Sequence, residues 1–228
     1  MITAGRPLVG CKVMITAGPT HEPIDTAHYI AKHSSGKLGY ALAEAAVALG
    51  AETVLVSGPV NLALPPGAQV MMANTALDML KTCERELPCE IAIFAAAVTD
   101  WHLDQSCSRQ LSKDQTDGGV ELKLADNPDI LRTIATRTDK RPVIVVGFVA
   151  ETEDVIENSH KKLIAKGCDL IVANDVSPPT RIMVSDRSTV HLISEDGVET
   201  WPRLHKREIA RRLMEALAVM LAARSRHP

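Results

Sequence analysis

Short, continuously apolar runs recur along the chain at Val13–Ala17, Thr53–Ser57, Val70–Ala73, Ile91–Ala96, Val143–Phe148 and Leu170–Ala173, and helical patterns separate them. Runs without polar alternation suit strands buried on both faces, so the order predicts a mostly parallel sheet covered by helices on either side. Between the first two runs, Leu38, Ala41, Leu42, Ala45, Ala46 and Leu49 recur at helical spacing, with Ser35 placed to cap the helix and Gly50 to stop it. Further helices are predicted over Thr75–Leu87, Pro128–Thr136 and Asp154–Lys166. After Asn174 the pattern changes: Thr189–Ser194, a Glu-Asp-Gly turn and Val198–Trp201 predict a β-hairpin. A last helix carries Ile209, Leu213, Ala216, Leu217 and Met220 on one face, with Arg207, Arg211 and Arg212 as its solvated flank. The expectation is one α/β domain over residues 1–228, with a hairpin extension at about 175–203 and a terminal helix at about 205–223.

Composition narrows the partners. A chain of 228 residues that is 46% hydrophobic can bury one sizeable core, and a formal charge of -3 gives no global field for nucleic acid or anionic membrane. Cys11, Cys83, Cys89, Cys107 and Cys168 form no CxxC pair, which argues against a disulfide framework or structural zinc. The opening MITAGRPLVG has no signal-length apolar run, and no stretch reaches the roughly 18 apolar residues of a membrane helix. A cytoplasmic protein with a small-molecule ligand is therefore expected.

Candidate chemistry lies in two long connections, Gly18–Ser35 and Val98–Gly119, because loops beyond about 12 residues are more often functional than incidental. The first closes with His33-Ser34-Ser35-Gly36-Lys37 at a helix start, where backbone amides and the helix dipole favour anions; an ordinary capped helix is the alternative. It is neither GxGxxG nor a Walker loop, since Leu38 follows Gly36-Lys37. Ala95-Ala96-Ala97 permits close approach at the carboxyl end of a strand, or equally tight helix packing, and Asp100 follows as an acid suited to a base or ribose contact. Lys162 and Lys166, four apart on one helix, are placed to reach one phosphate chain, or are simply solvated. His21, His28 and His33 match no zinc spacing.

Taken in order, ITAGPTHEPID, HSSGKLGYALAEAA, LVSGPV, FAAAVTDW, NPDI, VGFVAET, KLIAKGCDLIVANDVS and TVHLI resemble bacterial phosphopantothenoylcysteine synthetase, the CTP-dependent ligase of coenzyme A biosynthesis, over nearly the whole chain. In bacteria that domain is commonly fused behind a flavin-dependent decarboxylase, and PLVGCKVMITAG looks like the start of the synthetase half. The resemblance implies a Rossmann-like three-layer fold, and a homodimer in which the hairpin contributes to the partner's site. It also implies a two-step ligation with CTP and Mg²⁺. The carboxylate of 4'-phosphopantothenate attacks the α-phosphate of CTP, releasing pyrophosphate, and the cysteine amine then attacks the acyl-cytidylate, releasing CMP.

By position, the resemblance puts CTP contacts on Phe94, Ala95, Ala96, Asp100, Asn127, Pro128, Asp129, Ile130, Phe148, Lys162 and Lys166, beside an anion-binding turn of Gly18, Ser34 and Ser35. Three departures stand out. The family's Asn, needed to turn the acyl-cytidylate into product, is Lys32 here, and an upstream Arg is His28. The Lys-x-Lys-Lys motif, whose first lysine contacts CTP, reads Gln110-Leu111-Ser112-Lys113, with Arg109 one place outside. The family's Asp-x-Asn reads Asp186-Arg187-Ser188. The chain is accordingly expected to be the ligase, a paralogue that binds CTP but activates another acid, or an impaired binding or regulatory subunit. An NAD-dependent oxidoreductase is disfavoured by the missing glycine fingerprint.

Overall fold

The computed structural model describes residues 5–104, 121–175 and 186–225. The apolar runs become parallel strands β1 (Lys12–Ala17), β4 (Glu52–Ser57), β5 (Gln69–Met72), β6 (Ile91–Phe94), β9 (Ile144–Glu151) and β10 (Leu170–Asp175). The hairpin strands β11 (Arg187–Ser194) and β12 (Gly197–His205) join the same sheet antiparallel, through β10, in the order β12-β11-β10-β9-β6-β1-β4-β5. The predicted extension thus lengthens the central sheet at one edge.

Strand alternation divides the core into two. Val13, Ile15 and Ala17 point toward α1 (Lys37–Ala48) and α5 (Lys206–Arg224), whereas Met14 points toward α2 (Ala76–Arg85), α3 (Ile130–Ala135) and α4 (Val155–Lys166). The result is the expected three-layer α/β arrangement. From β1 the chain crosses through α1 to β4 in one direction, and from β6 through α3 to β9 in the other. The carboxyl ends of β1 and β6 therefore flank the switch point, where ligands of open α/β sheets sit.

Two short ribbons were not predicted: β2 (Glu22–Pro23) with β3 (Tyr29–Ile30), and β7 (Trp101–Leu103) with β8 (Leu124–Asp126). Both rise from the loops at this carboxyl edge. Elsewhere the boundaries move slightly: Val143 is left exposed outside β9, and Ala95 and Ala96 leave the strand after Phe94.

The start of α1 corrects the sequence reading. Ser35 does not cap the helix; the cap position is Gly36, at φ +70° with no side-chain bond, and its amide donates to Ser34 Oγ at 3.3 Å. Glycine adopts that left-handed turn without a Cβ penalty, so the chain reverses there rather than at the serine. Gly39 matters for a different reason. A Cβ there would lie 2.4 Å from Ala17 Cβ, so α1 rests directly on the end of β1. Helix propensity alone favours alanine by about 1 kcal/mol. The contact has no flexible end to yield, however, so Gly39→Ala is expected to destabilise by about 1–3 kcal/mol. A urea midpoint equal to that of the unmodified chain refutes this.

Candidate functional site

The loops after β1 and β6 do not gape at the switch point. Ala95 N donates to Thr16 O at 3.1 Å, Ala96 N to Thr16 Oγ1 at 3.2 Å and Ala97 N to Gly18 O at 2.8 Å, while Thr20 N returns a bond to Ala97 O at 3.3 Å. The amide donors of the alanines are therefore already engaged, and the side chains of Ala95 and Ala96 pack against the cores on opposite faces of the sheet. Phe94 is buried in the core beneath α3, and Phe148 is half-buried on the opposite, α1 side.

On one side of this ridge lies a cleft of about 470 Å³ between the loops after β1 and β4, lined among others by His21, Tyr29, Lys32, His33, Ser34 and Ser35. The His21 and Tyr29 rings stack at 4.0 Å and 11°, forming one wall. Gly18 turns the chain beneath it at φ +75°. Ser34 and Ser35, which line it, immediately precede the start of α1, and the leading amides of a helix have no intrahelical acceptor. A larger groove of about 650 Å³ along α2, beside Met72, Asp78 and Lys81, contains none of the predicted residues.

Lys32 reaches across the ridge: its Nζ lies 2.9 Å from Asp100 Oδ2, with the two side chains 48% and 62% exposed. So exposed a pair is worth at most about 1 kcal/mol and is easily redistributed when a ligand arrives. Behind Asp100, Asn127 donates from its side chain to Thr99 O at 3.0 Å and Thr99 Oγ1 at 2.9 Å, and from its backbone to Asp100 O at 2.8 Å. Pro128 follows, Asp129 caps α3 by accepting from Arg132 N at 3.1 Å, and Ile130 is buried in the core.

Lys162 and Lys166 lie farther along the same edge, on α4. Lys162 pairs with Glu151 at the end of β9, and Lys166 pairs with Asp129. The expectation that these ammonium groups and the turn into α1 grip one phosphate chain together is not what the structure brings about. The opposed crossovers put α4 and α1 on opposite faces of the sheet, and each lysine is bonded to its own carboxylate. Lys32, Asp100, Asn127, Asp129 and Lys166 nonetheless form one continuous run along the carboxyl edge. Gln110, with Arg109, Ser112 and Lys113, lies outside the described residues.

His28, and Asp186 of the altered Asp-x-Asn segment, also have partners. His28 Nδ1 lies 2.9 Å from the buried carboxylate of Asp25, which also accepts the amides of Ala27 and His28 at 2.7 Å each. Lys37, the first residue of α1, pairs with Asp186 at 2.7 Å, and that bond holds the Asp186 carboxyl below its usual range. Cys11, Cys83, Cys89 and Cys168 are free thiols; burial pushes Cys89 up to about 12 and Cys168 to about 11, so both stay protonated and unreactive at neutral pH. Among the described residues no group of three or more His, Cys, Asp or Glu is arranged to hold a metal, and no helix is long and apolar enough to cross a membrane.

Sequence reasoning missed Thr20, Thr99 and Glu151. Nothing local marked them, because each acquires its role from a partner distant in the chain or from burial at the ridge.

Comparison with known proteins gives the chain's family and relatives. Residues 8–220 match the family described as DNA/pantothenate metabolism flavoprotein C-terminal domain. The chain is 40% identical over 216 residues to the coenzyme A biosynthesis bifunctional protein CoaBC of Escherichia coli K12, covering 94% of this chain and 53% of that protein. It is 42% identical over 205 residues to CoaBC of Bacillus subtilis 168, covering 89% and 48% respectively. The chain thus spans about half the length of these relatives. The crystal structure of the C-terminal domain of CoaBC superposes with a TM-score of 0.80 at 35% identity, covering 96% of this chain and 99% of that one. By sequence and fold, the chain belongs to the family of DNA/pantothenate metabolism flavoprotein C-terminal domains.

Proposed function

We propose that the chain is a CTP-dependent ligase that joins 4'-phosphopantothenate to cysteine through an acyl-cytidylate, and that it acts as a homodimer in the cytoplasm. The observation that carries this reading is the meeting of Lys32 with Asp100 across the switch point. A cation beside an acceptor suits a site that handles a carboxylate and a nucleotide, and the chain is similar in sequence and fold to CoaBC and its C-terminal domain.

The chemistry assigns distinct tasks along the edge. Asp100 accepts from the base or ribose of the nucleotide, and Lys162 and Lys166 exchange their carboxylate partners for phosphate oxygens. In the first step the acid's carboxylate oxygen bonds to the α-phosphorus as pyrophosphate departs, and in the second the amine nitrogen bonds to the acyl carbon as CMP departs. Mg²⁺ carried in with the triphosphate would supply charge neutralisation when bound. Lys32 has three donor hydrogens, of which Asp100 takes one, so others remain for the oxyanion of the second step.

One observation favours a second reading. Lys32 is a flexible point charge already drawn toward Asp100, where the family's asparagine is a neutral donor. Such a site activates an acid but positions the oxyanion poorly, or takes an acid other than 4'-phosphopantothenate. Calorimetric titration of CTP and ATP, with mass analysis for trapped acyl-nucleotide, tests both readings. The proposal expects CTP to bind in preference to ATP and pyrophosphate release to require 4'-phosphopantothenate. Trapped acyl-cytidylate without ligated product supports the impaired second step, and a chain indifferent to CTP refutes both readings.

A further inference from the structure

We infer that Thr99 is a positioning residue that sets the Asp100 carboxylate for nucleotide recognition. The inference rests on the reading of Asp100 as a nucleotide contact. Asp100 has a largely exposed side chain, so packing does not fix it, and its precision has to come from its backbone. That backbone is held on both flanks. Thr99, only 3% exposed, donates its amide to Thr20 Oγ1 at 3.2 Å and its hydroxyl to Trp101 O at 3.0 Å. Its carbonyl and hydroxyl oxygens together receive the Asn127 side-chain amide, while Asn127 N secures Asp100 O at 2.8 Å.

Four hydrogen bonds thus pass through one buried threonine, tying the loop after β6 to the loop after β1 and to the end of β8. Burying polar groups is unfavourable unless they are bonded, and here Thr99, the residue before Asp100, bonds to Trp101 just after it and to Thr20 and Asn127 on the neighbouring segments. The same geometry changes the part played by Asn127. Its side-chain amide group already serves Thr99, so that group acts on the ligand through the loop and not by direct donation.

A double-mutant cycle on CTP binding tests the inference, using Thr99→Val, Asp100→Ala and the double variant. Thr99→Val keeps the shape and removes the hydroxyl. It is expected to weaken CTP binding about tenfold, with kcat within about twofold, whereas Thr99→Ser retains binding within about twofold. In the Asp100→Ala background Thr99→Val is expected to cause no additional loss. Unchanged CTP affinity in Thr99→Val, Thr99→Ser as weak as Thr99→Val, or additive losses in the double variant overturns the inference. Where Thr99→Val does not fold, Thr20→Val, which removes the acceptor of the Thr99 amide, carries the same expectations. Failure of the unmodified chain to bind CTP refutes the functional reading instead. Amide hydrogen exchange then decides the positioning role: Thr99→Val should speed exchange at Thr99 and Asn127 about tenfold and leave α4 unaffected, and unchanged rates at those two amides overturn it.

Discussion

Replacing Lys32 with asparagine is expected to accelerate the amine-attack step by about tenfold to a hundredfold, while acyl-cytidylate formation stays within about threefold. The size follows from what one well-placed oxyanion donor contributes, about two to three orders of magnitude, less the part that the lysine already supplies. The direction follows from geometry: the Lys32 ammonium is 2.9 Å from Asp100, held at the tip of a half-exposed side chain, whereas an asparagine amide is short and uncharged. Loss of the Lys32 charge also frees Asp100 for the nucleotide, so CTP binding should tighten or hold. Single-turnover quenching, with the acyl-nucleotide and final product resolved by mass, separates the two steps. If the second step in Lys32→Asn is no faster than in the unmodified chain, Lys32 is not what limits it.

The largest stability loss is expected from Asp169→Ala. Asp169 is 13% exposed, accepts from Val145 N at 2.7 Å, and bonds to two arginines, Arg141 at 3.0 Å and Arg224 at 2.7 Å. Arg141 in turn donates to Ala135 O, Pro142 O and Gly167 O, and Arg224 to Val143 O. One carboxylate therefore joins the end of α5, Gly167 just after α4 and the entry to β9. Removing it leaves two cations facing each other without a counter-ion. Breaking a buried pair costs about 3–5 kcal/mol, and the partial exposure of the arginines reduces that to about 2–3 kcal/mol. For a domain of this size the melting temperature should fall by roughly 5–10 °C, while CTP affinity stays the same. A loss below about 0.5 kcal/mol shows that the clasp does not contribute.

The sheet and its major helices were legible because double-sided burial leaves a local trace: every residue of Val13–Ala17 is buried, and the periodic residues of α1 turn inward as spaced. The ribbons β2–β3 and β7–β8 left no such trace. Their strands are two or three residues long and depend on bonds such as Ile24 N to His28 O, which no hydrophobic period encodes. At the candidate site, the residue types and the two loops were readable, but pairings were not. Lys166 meets Asp129 from 37 positions away, and Asn127 meets Thr99 from 28. That α1 and α4 cover opposite faces of the sheet, with each α4 lysine bonded to its own carboxylate, was likewise not readable from their shared edge.

The hydrogen-bonded seam from Thr16 and Gly18 to Ala95 and Ala97 has a further consequence for inhibitor chemistry. A molecule meant to occupy the cleft beside α1 and the lysines beside α4 together has to arch over a closed ridge. Flat fused-ring scaffolds cannot make that bend; two polar heads joined by a supple tether can, and the tether needs no donors or acceptors of its own, because the backbone amides beneath it are already bonded.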